Sequence, residues 1–149
     1  VAALFIFADI LERRFGTSEM GSLGGVYKKM PVCAGLFAAA VLANIGLPGF
    51  ANFWGEFSVF AALWQFSPIV CALAVSGIVI SAVYGLRAVA NIFMGGEGEA
   101  VRGREAKDVG VLERLPIVLL LAGLVVFGFA PKIMTNSLNS SFVEEVVEK

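Results

Sequence analysis

The stretch ANIGLPGFANFWGEF, residues Ala43 to Phe57, decides how the whole chain reads. Apolar sequence flanks it on both sides. Its middle holds two things that hydrocarbon penalises, a Gly46-Leu47-Pro48-Gly49 backbone break and the ionisable carboxylate of Glu56. A chain keeps that combination inside a bilayer only where protein or water lines the site.

The apolar run around it, Pro31 to Phe66, is 36 residues long. As one straight helix it would reach about 54 Å at about 1.5 Å per residue, far beyond a hydrocarbon core of about 30 Å. A break resolves the excess. Pro48 lacks an N–H and obstructs the preceding turn, while Gly46 and Gly49 tolerate unusual dihedrals. The spacing therefore predicts a half-helix over Pro31 to Ile45, an unwound joint, and a second half over Asn52 to Phe66. Asn44 and Asn52 flank the joint and can satisfy the backbone groups it frees. Transporters place ion sites at discontinuous helices of this kind. The plainer alternative is a Pro-kinked helix with no ionic role.

Composition agrees with a membrane setting. The 149 residues are 58% hydrophobic and 15% charged, against about 45–50% and about 25% in soluble domains. The net charge of −1 leaves no electrostatic footprint for nucleic acid. Histidine is absent, which removes the commonest metal ligand and any imidazole acid–base step within these residues. Cys33 and Cys71 begin successive spans of opposite direction, so they are read as small apolar filler and not as a disulfide or metal pair.

The remaining segments fall into place around the joint. Residues 1–13 read as the end of a longer helix, and the whole of 1–149 as the C-terminal fragment of one polytopic membrane domain. Asp9 is expected to pair with Arg13 at i,i+4. Residues 15–29 (FGTSEMGSLGGVYKK) read as a flexible connector, because GSLGG lacks the Lys and Ser/Thr of a phosphate loop. Residues 69–94 form a full span. On it Gly77, Ser81 and Gly85 make a small-residue stripe for close helix contact, and Arg87 snorkels toward an interface. Residues 95–114 are a solvent-exposed loop or a contact for a neighbouring subunit. Residues 115–131 form a short last span with Pro116 in its first turn. In the tail, 132–149, Ser141 to Glu144 make a capping-box pattern opening a short amphipathic surface helix. Lys and Arg concentrate in the first and third loops, which the positive-inside rule places in the cytoplasm.

Glu56 is the candidate for chemistry. It stands near the N-terminus of the second half-helix, where the dipole favours a carboxylate and burial opposes it. Those opposed effects suit a group that loads and releases protons. No partner base is visible within these residues, since Lys28 and Lys29 sit at the membrane edge. A permanently neutral, structural Glu56 is the alternative.

The stretch MPVCAGLFAAAVLANIGLPGFANFWGEFSVFAALW resembles the discontinuous helix of the antiporter-like membrane subunits of respiratory complex I. LERR…GGVYKKMP before it and VYGLR…NIFMGG after it are similar in kind and order, so the resemblance covers roughly residues 1–130. A carboxylate at the Glu56 position is typical of the chain M (chain 4) type, where sister subunits and multi-subunit cation/proton antiporters carry Lys. The resemblance implies an all-α polytopic fold with one discontinuous helix in a bacterial inner or plasma membrane. It implies a subunit of a proton-translocating NADH:quinone oxidoreductase in which Glu56 relays protons. The partners would be other membrane subunits of that complex, the lipid bilayer and protons, with no nucleic acid. It implies no cofactor or metal in this chain; NADH, FMN, iron–sulfur clusters and quinone belong to partner subunits. The alternatives are a subunit of a multi-subunit Na⁺/H⁺ antiporter or membrane-bound hydrogenase, and a structural membrane scaffold.

Overall fold

The computed structural model describes residues 1–130, and the fold is all-α. The expected tail over 132–149, its capping box at Ser141 to Glu144 and the last residue of the expected final span lie outside the described residues. Five α-helices follow in order: α1 (Ala2–Phe15), α2 (Pro31–Asn44), α3 (Ala51–Phe66), α4 (Pro68–Phe93) and α5 (Val111–Phe129). A 3-10 turn at Val26–Lys28 precedes α2.

Local chemistry sets most of these boundaries. Gly16 ends α1 in the left-handed region (φ 71°), and its N–H donates to the Glu12 carbonyl at 2.7 Å. Pro31 and Pro68 open α2 and α4, where a missing N–H costs nothing. Ser67, extended ahead of Pro68, is the whole connection between α3 and α4. The Asp9–Arg13 ion pair is present at 2.9 Å on the exposed side of α1.

By length and composition, α4 and α5 can each cross a membrane, and α2 is a shorter apolar helix. α3 buries none of its residues, and α4 buries only Cys71, Val89, Ile92 and Phe93. Their outward faces are apolar, with Phe66, Ile69, Leu73, Val79 and Ile80 exposed. Such faces suit hydrocarbon or further helices rather than water. Cys33 and Cys71 are both buried free thiols.

The core lies at the other end, where α1, α2, α4 and two loops meet. Phe7 meets Phe37 edge-on with centroids 5.3 Å apart, and Phe37 meets Phe93 at 5.0 Å. Phe15, Val26, Met30, Val101, Val109 and Ile117 close this core with almost no exposure.

One expectation is corrected here. The Gly-rich segment after α1 is not a loose connector: it pairs backbone to backbone with residues 94–100, in a loop that is largely exposed as expected. Gly25 N–H donates to the Met94 carbonyl at 3.1 Å, Gly98 N–H to Gly24 at 3.3 Å, and Ala100 N–H to Ser22 at 3.2 Å. A Cβ on Gly24 would stand 2.6 Å from the Gly96 oxygen, and one on Gly98 would meet the Ser22 oxygen. Glycine here permits contact between two chains rather than flexibility. The pairing also brings both basic loops to one end of the bundle.

Lys29 nails this cap down. Its ammonium donates to the Val101 and Arg104 carbonyls at 2.6 and 2.8 Å. Lys29→Met should leave both carbonyls without that donor and loosen residues 98–105. We expect faster amide exchange in that segment and little change within α4; unchanged exchange would refute the assignment.

α5 starts at Val111, four residues before the expected Leu115. Hydropathy did not mark this start, because the added turn carries the charged Glu113 and Arg114 beside Val111 and Leu112. Glu113 accepts from the Gly110 N–H at 2.8 Å and from Arg14 Nη2 at 2.7 Å. Pro116 thus sits inside the helix rather than in its first turn.

Candidate functional site

The segment between α2 and α3, residues 45–50, is built as a helix stop followed at once by a helix start. Leu47 N–H reaches back to the Leu42 carbonyl at 3.1 Å, and Gly46 N–H to Ala43 at 3.3 Å, with Gly46 left-handed at φ 78°. This paired pattern around a left-handed glycine is a Schellman cap, and Pro48 two residues later prevents continuation. Gly49 has φ 108°, again outside the range of ordinary side chains.

Asn52, in the first turn of α3, donates its Nδ2 to the Ala43 carbonyl at 2.8 Å. One oxygen at the end of α2 thus holds both the Gly46 amide and the next helix. Asn44 is half-buried and faces two apolar cavities of about 350 and about 250 Å³. The first also touches Asn52, the second Tyr84 and Gly85, and neither is lined by Glu56. Pro48 is exposed.

Glu56 is half-buried on α3. Side chains on a helix lean toward its N-terminus, and Glu56 lies back on the joint. Its carboxyl occupies the place where Gly46 would carry a Cβ: an ideal Cβ there would meet Oε2, with Cδ at 2.6 Å and Oε1 at 2.9 Å. Among the described residues Glu56 takes part in none of the three ion pairs. α2 and the joint contribute no charged side chain, and Arg87 on α4 is exposed. The structure therefore brings Gly46 and Glu56 together and ties Asn52 to the end of α2. It leaves Asn44 on the cavities instead.

Three supports escaped the sequence reading. Trp54 donates its indole N–H to the Gly128 carbonyl at 2.7 Å. Gly128 is buried, and a Cβ there would meet the Gly49 oxygen and lie 2.8 Å from the Phe50 carbonyl carbon. The last turn of α5 thus rests directly on the joint. Asp108 caps α2 from the far loop, accepting from Val32 N–H at 2.8 Å and Cys33 N–H at 3.1 Å. The close contact expected of the small-residue stripe is made at Gly85 of α4, which lies against Val41 and Ile45, where a Cβ would come within 3.1 Å of Val41 Cγ1. The open position at Gly77 shows that only part of the expected stripe is used among the described residues. A preference of Asp for helix N-termini is a readable signal, but nothing local says that Asp108 serves α2.

Among the described residues no cluster of three or more His, Cys, Asp or Glu could hold a metal. What remains is a half-buried carboxylate on α3, seated against the irregular backbone between two helices. A carboxylate is a group to which a proton or a small cation can bind.

Comparison with known proteins narrows this. A family model described as "NADH:quinone oxidoreductase/Mrp antiporter, TM" matches residues 1–81. NADH-quinone oxidoreductase subunit M of Rickettsia bellii is 31% identical across 99% of this chain and 30% of its own length. The protein of the same name from Escherichia coli K12 is 29% identical across 94% of this chain and 28% of its own. The chain therefore spans about 30% of these relatives. A chain in respiratory complex I from Thermus thermophilus with bound NADH superposes with a TM-score of 0.74 at 33% identity, covering 86% of this chain and 26% of that one.

Proposed function

Because the chain belongs to the NADH:quinone oxidoreductase/Mrp antiporter membrane family, we propose that it forms part of the proton-translocating membrane arm of an NADH:quinone oxidoreductase, with Glu56 as a proton relay. The observation that carries this reading is the seat of the Glu56 carboxyl on Gly46, between two helix ends. In it α2 and α3 are the two halves of one interrupted span, and α4 and α5 complete a multi-pass unit in a bacterial inner or plasma membrane. Protons reach Glu56 through polar groups supplied by other parts of the subunit and its neighbours. The oxidoreductase chemistry, with NADH, FMN, iron–sulfur clusters and quinone, resides on partner subunits, and this chain contributes no redox centre of its own.

Glu56→Gln in the assembled complex tests the relay. A positioned acid–base group contributes about a hundredfold or more to proton transfer, so we expect coupled proton pumping in membrane vesicles to fall by about tenfold or more. Pumping at the wild-type ratio to NADH oxidised would sink the relay. The family description also names antiporters, which favours a second reading as a Na⁺/H⁺ antiporter subunit. Sodium-dependent proton flux without NADH oxidation would support it.

A further inference from the structure

The relay reading requires the Glu56 carboxyl to adopt a defined position, and the residue that defines it is not an obvious one. Glu56 has no ion-pair partner among the described residues, and none of their side-chain hydrogen bonds is made by its carboxyl. What holds the carboxyl in place is shape. It fills the space left by the absent side chain of Gly46, against the backbone of the Schellman cap. Asn52, four residues earlier on the same helix, fixes that face of α3 to Ala43 and so keeps the carboxyl in register with the cap.

We propose that Gly46 is a positioning residue for Glu56: the missing side chain at 46 is the seat in which the carboxyl exchanges its proton. The proposal rests on the relay reading above. Gly46 thus has two separable duties. It supplies the left-handed φ that ends α2, which any glycine cap does, and it supplies the vacancy that sets the Glu56 rotamer. Gly49 separates them. At φ 108° it carries the same backbone demand, but a Cβ there would meet only the Phe129 ring at 3.7 Å, an ordinary contact.

The test compares Gly46→Ala, Gly49→Ala, Glu56→Asp, Glu56→Gln and the double variant Gly46→Ala/Glu56→Asp in the full complex. Proton pumping per NADH oxidised is one readout. The infrared band of the Glu56 carboxyl, identified by its loss in Glu56→Gln, is the other. Displacing a reacting group by about 1 Å can cost about a hundredfold, so Gly46→Ala should lower pumping by about tenfold or more and shift the Glu56 band. Gly49→Ala should leave that band in place. The shorter side chain of Glu56→Asp withdraws from the added methyl, so Gly46→Ala should cost much less in that background. An unmoved Glu56 band in Gly46→Ala would overturn the proposal while leaving the relay intact. Wild-type pumping in Glu56→Gln would instead remove the relay on which it rests. If Gly46→Ala alone fails to assemble, recovery of assembly in the double variant supports the clash, and continued failure overturns it.

Discussion

Replacing Gly128 by Val should destabilise the fold by about 4 kcal/mol or more. Gly128 Cα presses on the carbonyl of Gly49 and the backbone of Phe50, so added carbon atoms meet main chain and not a side chain that can turn aside. Overpacking a well-fitted site costs about 1–3 kcal/mol when side chains can adjust, and backbone neighbours push the figure to the top of that range or beyond. Moving α5 away also breaks the Trp54–Gly128 hydrogen bond, which adds about 1 kcal/mol. The sum, about 4 kcal/mol, nears the lower end of the net stability of domains. Trp54→Phe isolates the smaller part and should cost only about 1 kcal/mol. Thermal stability of the detergent-extracted protein separates the two, and equal losses for both variants would contradict the steric account.

The second large effect is expected at Asp108. Its carboxylate accepts from three backbone donors, the N–H groups of Val32, Cys33 and Val109. Two of these belong to the first turn of α2, whose own N-cap residue, Met30, offers no side-chain acceptor. Asp108→Ala should therefore cost about 2–3 kcal/mol, combining a lost helix cap with an orphaned N–H at buried Val109. Asp108→Asn keeps an acceptor but loses the charge that favours a helix N-terminus, and should fall between. Protease sensitivity of the 105–112 segment and thermal stability should both follow the order wild type, Asn, Ala. A flat series would show that water replaces the carboxylate without loss.

The parts of this structure readable in advance are those whose cause is local. Gly46-Leu47-Pro48 is a helix stop in any context, and α2 does stop at Asn44. The apolar run of α4 gives its own length to within a residue at each end, and the all-α architecture follows. Glu56 draws notice by being ionisable where its neighbours are apolar. The unreadable parts have causes far away along the chain. Asp108 caps a helix 75 residues upstream, and Gly98 lies against Ser22. Both loops look solvated by composition, since a tally of Gly and charge cannot distinguish a loose loop from one whose backbone is paired. The early start of α5 belongs with them. Its first turn accommodates a charge because Arg14, from α1, and the Gly110 amide satisfy Glu113.

The glycine contacts invert the usual map of sensitivity to mutation. In most domains the deepest losses come from trimming large core side chains. Here Gly24, Gly46, Gly98 and Gly128 each face backbone or a carboxyl so closely that one added methyl collides, while α3 buries no side chain at all. A saturation scan of this chain would find its steepest walls at residues that have nothing to lose.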